Sequence, residues 1–180
     1  MTNITKQKPF SKLTDAEKRV TIAKDVLKQL RAKRLIATHM VYFNSEKVEE
    51  FYSQTIFNRD TELELSEVIK DEKCNVCALG SLFVCAVDRL DKLKLINFGR
   101  CQMQDYLMFF SKKQLDLIEC VFEKDMAFMS EYMSKYKSKY KLDLKIAINY
   151  TKGIRSPAKQ MEKIMKNIIR NKGTFILPKK

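Results

Sequence analysis

The sequence predicts an all-α protein: a mainly helical single domain of about six helices, with at most one small two-stranded β element. Three observations carry that reading. Apolar residues recur at three- and four-residue spacing along much of the chain. Two helix starts are written out as capping boxes. And 180 residues contain only 4 Gly and 3 Pro, too few for a collagen-like or low-complexity chain. At 45% hydrophobic and 32% charged, the chain is apolar enough to bury a core rather than stay disordered.

Taken in order, residues 1–13 are polar and predict a flexible N-terminal segment, with residues 14–180 forming the domain. No apolar run of signal-peptide type occurs near Met1. Thr14-Asp15-Ala16-Glu17 is a capping box, and Val20, Ala23, Val26, Leu27 and Leu30 continue it as a helix to about Arg34. Leu35 to Phe43 is rich in apolar, β-branched and aromatic residues and predicts a short strand. Ser45 begins a short amphipathic helix that uses Val48, Phe51 and Tyr52.

Val76 to Leu93 reads as a central, buried helix whose small residues Cys77, Ser81 and Cys85 would let a neighbouring helix come close. Asn97-Phe98-Gly99 reads as a turn. Ser111 and Gln114 form the second capping box, ahead of Leu115, Ile118, Val121 and Phe122. Met126, Met129 and Met133, with Phe122 and Phe128, continue a stripe that reads as core and, alternatively, as an adaptable groove for a partner helix.

The last helix has the clearest ends. Ser156 suits the N-cap, Pro157 the first turn, and Gly173 a left-handed C-terminal cap. Between them Met161, Ile164, Met165, Ile168 and Ile169 make an apolar face. Thr174 to Leu177 then reads as extended and able to pair with the segment before Phe43.

Charge is segregated. Residues 135–180 carry 14 basic and 2 acidic side chains, so +12 of the total +13 lies in the last quarter. Around the last helix Lys159, Lys163, Lys166 and Arg170 fall within an arc of about 60°, opposite the Ile/Met face and unbroken by an acid, with Glu162 off to the side. Upstream, Tyr136 and Tyr140 alternate with Lys135, Lys137, Lys139 and Lys141, preferably on a helix. Cations free of competing carboxylates hold phosphates, and aromatics beside them stack on bases. These ten residues are the predicted surface for nucleic acid or an acidic partner.

Catalytic chemistry is poorly supplied. His39 is the single imidazole, flanked by Thr38, Met40 and Val41 as a core or strand-edge residue would be. Cys74-Asn75-Val76-Cys77 lacks the second ligand pair that tetrahedral zinc needs. Cys77 and Cys85 lie in an apolar run, as buried thiols do. Glu62, Glu64, Glu67, Asp71 and Glu72 read as a solvated acidic segment, without the Asp/Asn alternation of a calcium loop. No phosphate-cradling glycine motif is present. The reading is therefore non-enzymatic, with no catalytic residue, metal or cofactor; an enzyme or metal site using Cys74, Cys77 or His39 is the alternative.

Four stretches, Ile22–Leu30, Cys74–Gly80, Gln114–Glu119 and Met161–Phe175, together resemble a family of small bacterial and phage proteins marked by CxVCALG and NIIxNxGxF. The resemblance supplies no activity. It implies a phage or mobile-element setting, where small basic proteins of this kind resemble anti-defence inhibitors such as anti-CRISPR proteins. The expectation is thus a cytoplasmic protein of the bacterial host cell that inhibits a defence nucleoprotein effector. It would bind that effector's nucleic acid, RNA in preference to DNA, or an acidic protein surface, and no membrane. A nucleic-acid-binding regulator is the other reading. No uncharged stretch reaches the ~20 residues a membrane span requires.

Overall fold

The computed structural model describes residues 8–47, 49–50, 63–64, 73–89, 94–95, 106–123 and 144–178. In chain order these form α1 (Asp15–Arg31), β1 (Leu35–Ala37), β2 (Leu63–Glu64), β3 (Cys74–Val76), α2 (Ala78–Val87), β4 (Lys94–Leu95), α3 (Lys112–Glu123), α4 (Leu144–Tyr150) and α5 (Pro157–Arg170). The protein is mostly helical with a small two-stranded parallel sheet. Among the described residues four helices of ten residues or more carry it, rather than about six, joined by the seven-residue α4.

Helix α1 starts as its sequence dictates. The Glu17 N–H donates to Thr14 Oγ1 at 3.3 Å and the Thr14 N–H donates to Glu17 Oε2 at 2.7 Å. Ile22, Ala23, Val26 and Leu27 are buried against α5 and α2. The helix closes in a Schellman motif: Arg34 N–H donates to Gln29 O at 3.0 Å and Lys33 N–H to Leu30 O at 3.1 Å, with Lys33 left-handed at φ 57°. Ahead of α1, Phe10–Lys12 forms a 3₁₀ turn, and the Phe10 ring sits 6.1 Å from that of Phe109.

The strand expected over Leu35–Phe43 is only three residues long. β1 pairs in parallel with β3, Leu35 opposite Cys74 and Ala37 opposite Val76. The chain then turns at Met40 (φ 60°) and returns on the other side of β3, where Asn44 and Asn75 exchange N–H···O bonds of 2.9 and 2.8 Å. Between these points the backbone crosses the start of α2. The Cys77 N–H donates to Val41 O, and a Cβ on Gly80 would stand 1.4 Å from Tyr42 O. The closest backbone approach to α2 therefore occurs at Gly80, while α1 lies beside the same helix with Asp25 and Gln29 near Cys85. A second, antiparallel pair joins β2 and β4, Leu63 opposite Leu95.

The central helix is shorter than Val76–Leu93. β3 occupies its expected first residue, Cys77 is the N-cap with Sγ accepting from Gly80 N–H at 3.4 Å, and all ten residues of α2 are buried. The Ser111 box is half made. Ser111 Oγ accepts from Gln114 N–H at 3.3 Å, but the Gln114 side chain turns away to clamp Phe175, donating from Nε2 to its O at 3.0 Å and accepting from its N–H at 2.7 Å.

That clamp corrects the expected pairing of Thr174–Leu177 with the segment before Phe43. The extended tail is held instead by side-chain amides, because Asn167 treats Ile176 as Gln114 treats Phe175: Nδ2 donates to Ile176 O at 2.7 Å and Oδ1 accepts from its N–H at 2.9 Å. Gly173 feeds the tail in at φ 94°, and a Cβ there would meet Ala16 O at 2.6 Å, so only glycine fits. Val48, Phe51 and Tyr52, the Asn97–Gly99 turn, and Met126, Phe128, Met129 and Met133 lie outside the described residues. No helix among the described residues is long and apolar enough to cross a membrane.

Candidate nucleic-acid interface

Helix α5 forms where its signals place it. Ser156 caps it, Oγ accepting from Lys159 N–H at 3.4 Å, and Pro157 occupies the first turn. Met161, Ile164, Met165 and Ile168 are fully buried, chiefly against α1, and Ile169 packs at the edge of the core. Its C-terminus repeats the Schellman motif of α1: Gly173 N–H donates to Ile168 O at 2.8 Å and Lys172 N–H to Ile169 O at 3.2 Å, with left-handed Lys172 one residue ahead of the expected Gly173.

Burying that face turns the opposite one outward. Lys159, Lys163, Lys166 and Arg170 are all exposed, and with Tyr150, Glu162 and Asn167 they line one cleft of about 260 Å³. The C-terminal end of α4 supplies the aromatic wall. The Lys163 ammonium donates to the Tyr150 carbonyl and lies 4.5 Å from the centre of its ring. Asn167 Nδ2 donates to the Tyr150 hydroxyl at 2.9 Å, and the Phe175 ring meets the Tyr150 ring edge-on at 5.4 Å. Burial pushes the Tyr150 phenol above its ordinary value, against the pull of the Asn167 hydrogen bond and the Arg170 charge.

The cationic face is not free of acid. Lys166 Nζ lies 2.6 Å from Glu162 Oε1, so Glu162 belongs to the cleft rather than beside it. Lys166, with Arg31 and Lys159 adding their charge, holds the Glu162 carboxyl below the ordinary carboxylate range. The inner cations Lys163 and Lys166 thus have internal partners, while Lys159 and Arg170 at the two ends make no side-chain hydrogen bond or ion pair among the described residues.

Four of the ten predicted surface residues, Lys159, Lys163, Lys166 and Arg170, therefore come together. Lys135, Tyr136, Lys137, Lys139, Tyr140 and Lys141 lie outside the described residues. Sequence reasoning missed Tyr150, Glu162 and Asn167. Tyr150 gives no helical signal because Leu142, Leu144, Ile146, Ile148 and Tyr150 alternate with period two, the pattern of a strand.

The alternative chemistry finds its residues occupied otherwise. Gln160 Nε2 donates to Ile154 O at 2.5 Å, which turns Oε1 toward His39; His39 Nε2 is 3.1 Å away and must be the donor. The His39 ring also packs 4.8 Å from Phe122. Cys74, Cys77, Cys85 and Cys120 are buried thiols, none in a disulfide among the described residues. Burial, with Glu123 and Glu119 nearby, pushes the Cys77 thiol up, and burial takes Cys120 to about 12. Among the described residues no group of three or more His, Cys, Asp or Glu is placed to hold a metal ion. A second cavity, between α1 and α2 beside Cys74 and Cys85, has about 20 Å³, room for about one water.

No family model, no curated protein and no solved structure matches the chain.

Proposed function

We propose that this chain is a non-enzymatic basic binding protein that engages a nucleoprotein through the cationic cleft of α5. One observation carries the reading: Lys159, Lys163, Lys166 and Arg170 converge on one cleft with an aromatic wall and a single carboxylate. Segregated charge of this kind recognises phosphates. The burial of Cys77 and the packing of His39 between Gln160 and Phe122 support a non-enzymatic role. The resemblance of CxVCALG and NIIxNxGxF to phage proteins adds the setting: inhibition of a bacterial defence effector, in the manner of anti-CRISPR proteins.

The test is a salt series. The purified protein is titrated against fluorescent single-stranded RNA and DNA and against an RNA-guided nuclease loaded with its guide. Four phosphate contacts on a single strand should make log K fall with log[salt] at a slope of about −3. Absence of binding to nucleic acid and to the loaded nuclease at low salt overturns the reading. Binding to free nucleic acid equal to that of the loaded nuclease turns the inhibitor into a regulator.

A further inference from the structure

We infer that the cleft holds a single strand of nucleic acid, with phosphates on Lys159 and Arg170 and an amino-bearing base on Glu162. The inference rests on the binding role proposed above and names its ligand. Lys159 and Arg170 stand eleven residues apart on one face of α5, about 16 Å along the axis, so a small anion held by one does not reach the other. What spans both is linear, with a length on the order of four nucleotides, the lower end of single-strand site sizes.

The interior of the track separates a nucleic acid from other linear polyanions. Between the end cations the cleft presents the Glu162 carboxylate, kept ionised by Lys166. Lys166 occupies Oε1, and Oε2 has no partner among the described residues. A bare polyphosphate has only like charge to place against that oxygen, and a poly-glutamate chain brings its backbone N–H groups there only between like-charged side chains. A nucleobase has a donor: the exocyclic amines of adenine and cytosine are hydrogen-bonded by carboxylates and amides at their edges. Uracil presents its one N–H between two carbonyl oxygens, which face a carboxylate unfavourably. The Tyr150 ring carries the Lys163 ammonium over its face. Tyr150 therefore shapes the wall and places Lys163, while discrimination among bases falls to Glu162.

The experiment compares short RNA homopolymers of equal length, oligo(A), oligo(C) and oligo(U), with inorganic polyphosphate and poly-glutamate, by fluorescence anisotropy on the unaltered protein. Oligo(A) and oligo(C) should bind about tenfold more tightly than oligo(U). Glu162→Gln, checked to keep the parent's unfolding midpoint, should bring the three within about twofold by strengthening oligo(U). Lys159→Ala and Arg170→Ala should weaken all three equally and flatten the salt slope by about one contact each. Equal binding of the three homopolymers by the unaltered protein overturns the base-reading role. Polyphosphate or poly-glutamate binding as tightly as oligo(A) overturns the nucleic-acid assignment while leaving the basic cleft intact. Failure of every polyanion to bind overturns the underlying function itself.

Discussion

Helices α3 and α5 are built into one core yet handle charge in opposite ways. From Leu115 to Glu123 every residue of α3 is buried, including Asp116, Glu119 and Glu123. Two of those acids hold other parts of the chain: Glu119 accepts from the Tyr42 hydroxyl at 2.8 Å and Glu123 from the Met40 N–H at 2.7 Å, fixing the crossover that lies on α2. Helix α5 buries Met161, Ile164, Met165 and Ile168 and leaves its cations outside. At Glu119 and Glu123 charge inside is matched to internal donors and serves the fold. Charge outside is matched at its centre and open at its ends, which is what a ligand site needs.

The sharpest way to test that division is to reverse all four cleft cations. Lys159→Glu, Lys163→Glu, Lys166→Glu and Arg170→Glu together should lower affinity for single-stranded RNA more than about a hundredfold. Unfolding free energy should fall by only about 1 kcal/mol, mainly for Lys163's contact with Tyr150. Chemical denaturation beside an anisotropy titration measures both; a quadruple variant that binds as before removes α5 as the site.

Asn167 belongs to both sides of the contrast, since it lines the cleft, holds Tyr150, and clamps Ile176. Asn167→Ala should cost about 2 kcal/mol, because half-buried Tyr150 and Asn171 and exposed Ile176 lose their bonds at once, and should also weaken RNA binding. A stable variant would show that the tail does not depend on its clamp.

Tyr42→Phe probes the interior charge alone. It withdraws one donor from a carboxylate that is only 7% exposed and should cost about 1–2 kcal/mol, with RNA affinity unchanged. A change in binding would mean that α3 and α5 are coupled rather than separate.

Acid gives the smallest effect. Glu17 and Glu162 are held below the ordinary carboxylate range by Thr14 and Lys166 respectively. Their contribution is complete above the ordinary range and lost as pH falls through the lowered folded values, so stability should decline from about pH 4 downward. Glu17 is exposed and Glu162 partly so, which keeps the slope shallow. The unfolding midpoint of Glu162→Gln, followed against pH, should decline less steeply than that of the parent.

What was legible in the sequence is what local chemistry decides. Thr14 with Glu17, Ser156 with Pro157, and the Met161–Ile168 stripe each specify their helix through neighbours in sequence, and each is found. The cation arc of α5 followed from the same periodicity. Long-range partners were not legible. Gln114 carries the spacing of a capping box but spends its side chain on Phe175, 61 residues away. Tyr150 enters the cleft only because α4, packed on α3, ends against Lys163 and Asn167 of α5, and no pattern in residues 142–150 announces that. The two motif stretches are structural as well: Gly80 admits Tyr42, and Asn167, Gly173 and Phe175 set the tail.

The tail itself has a consequence for how this protein behaves in a crowd. Phe175 and Ile176 belong to no helix or sheet, and Ile176 is 49% exposed. Bare backbone of that kind is where a second molecule zips on and growth into fibres begins. Here two amide side chains take the hydrogen-bonding groups of both residues, so the stretch has little left to offer a stranger, and an apolar side chain stays at the surface beside a backbone whose donors and acceptors are already engaged.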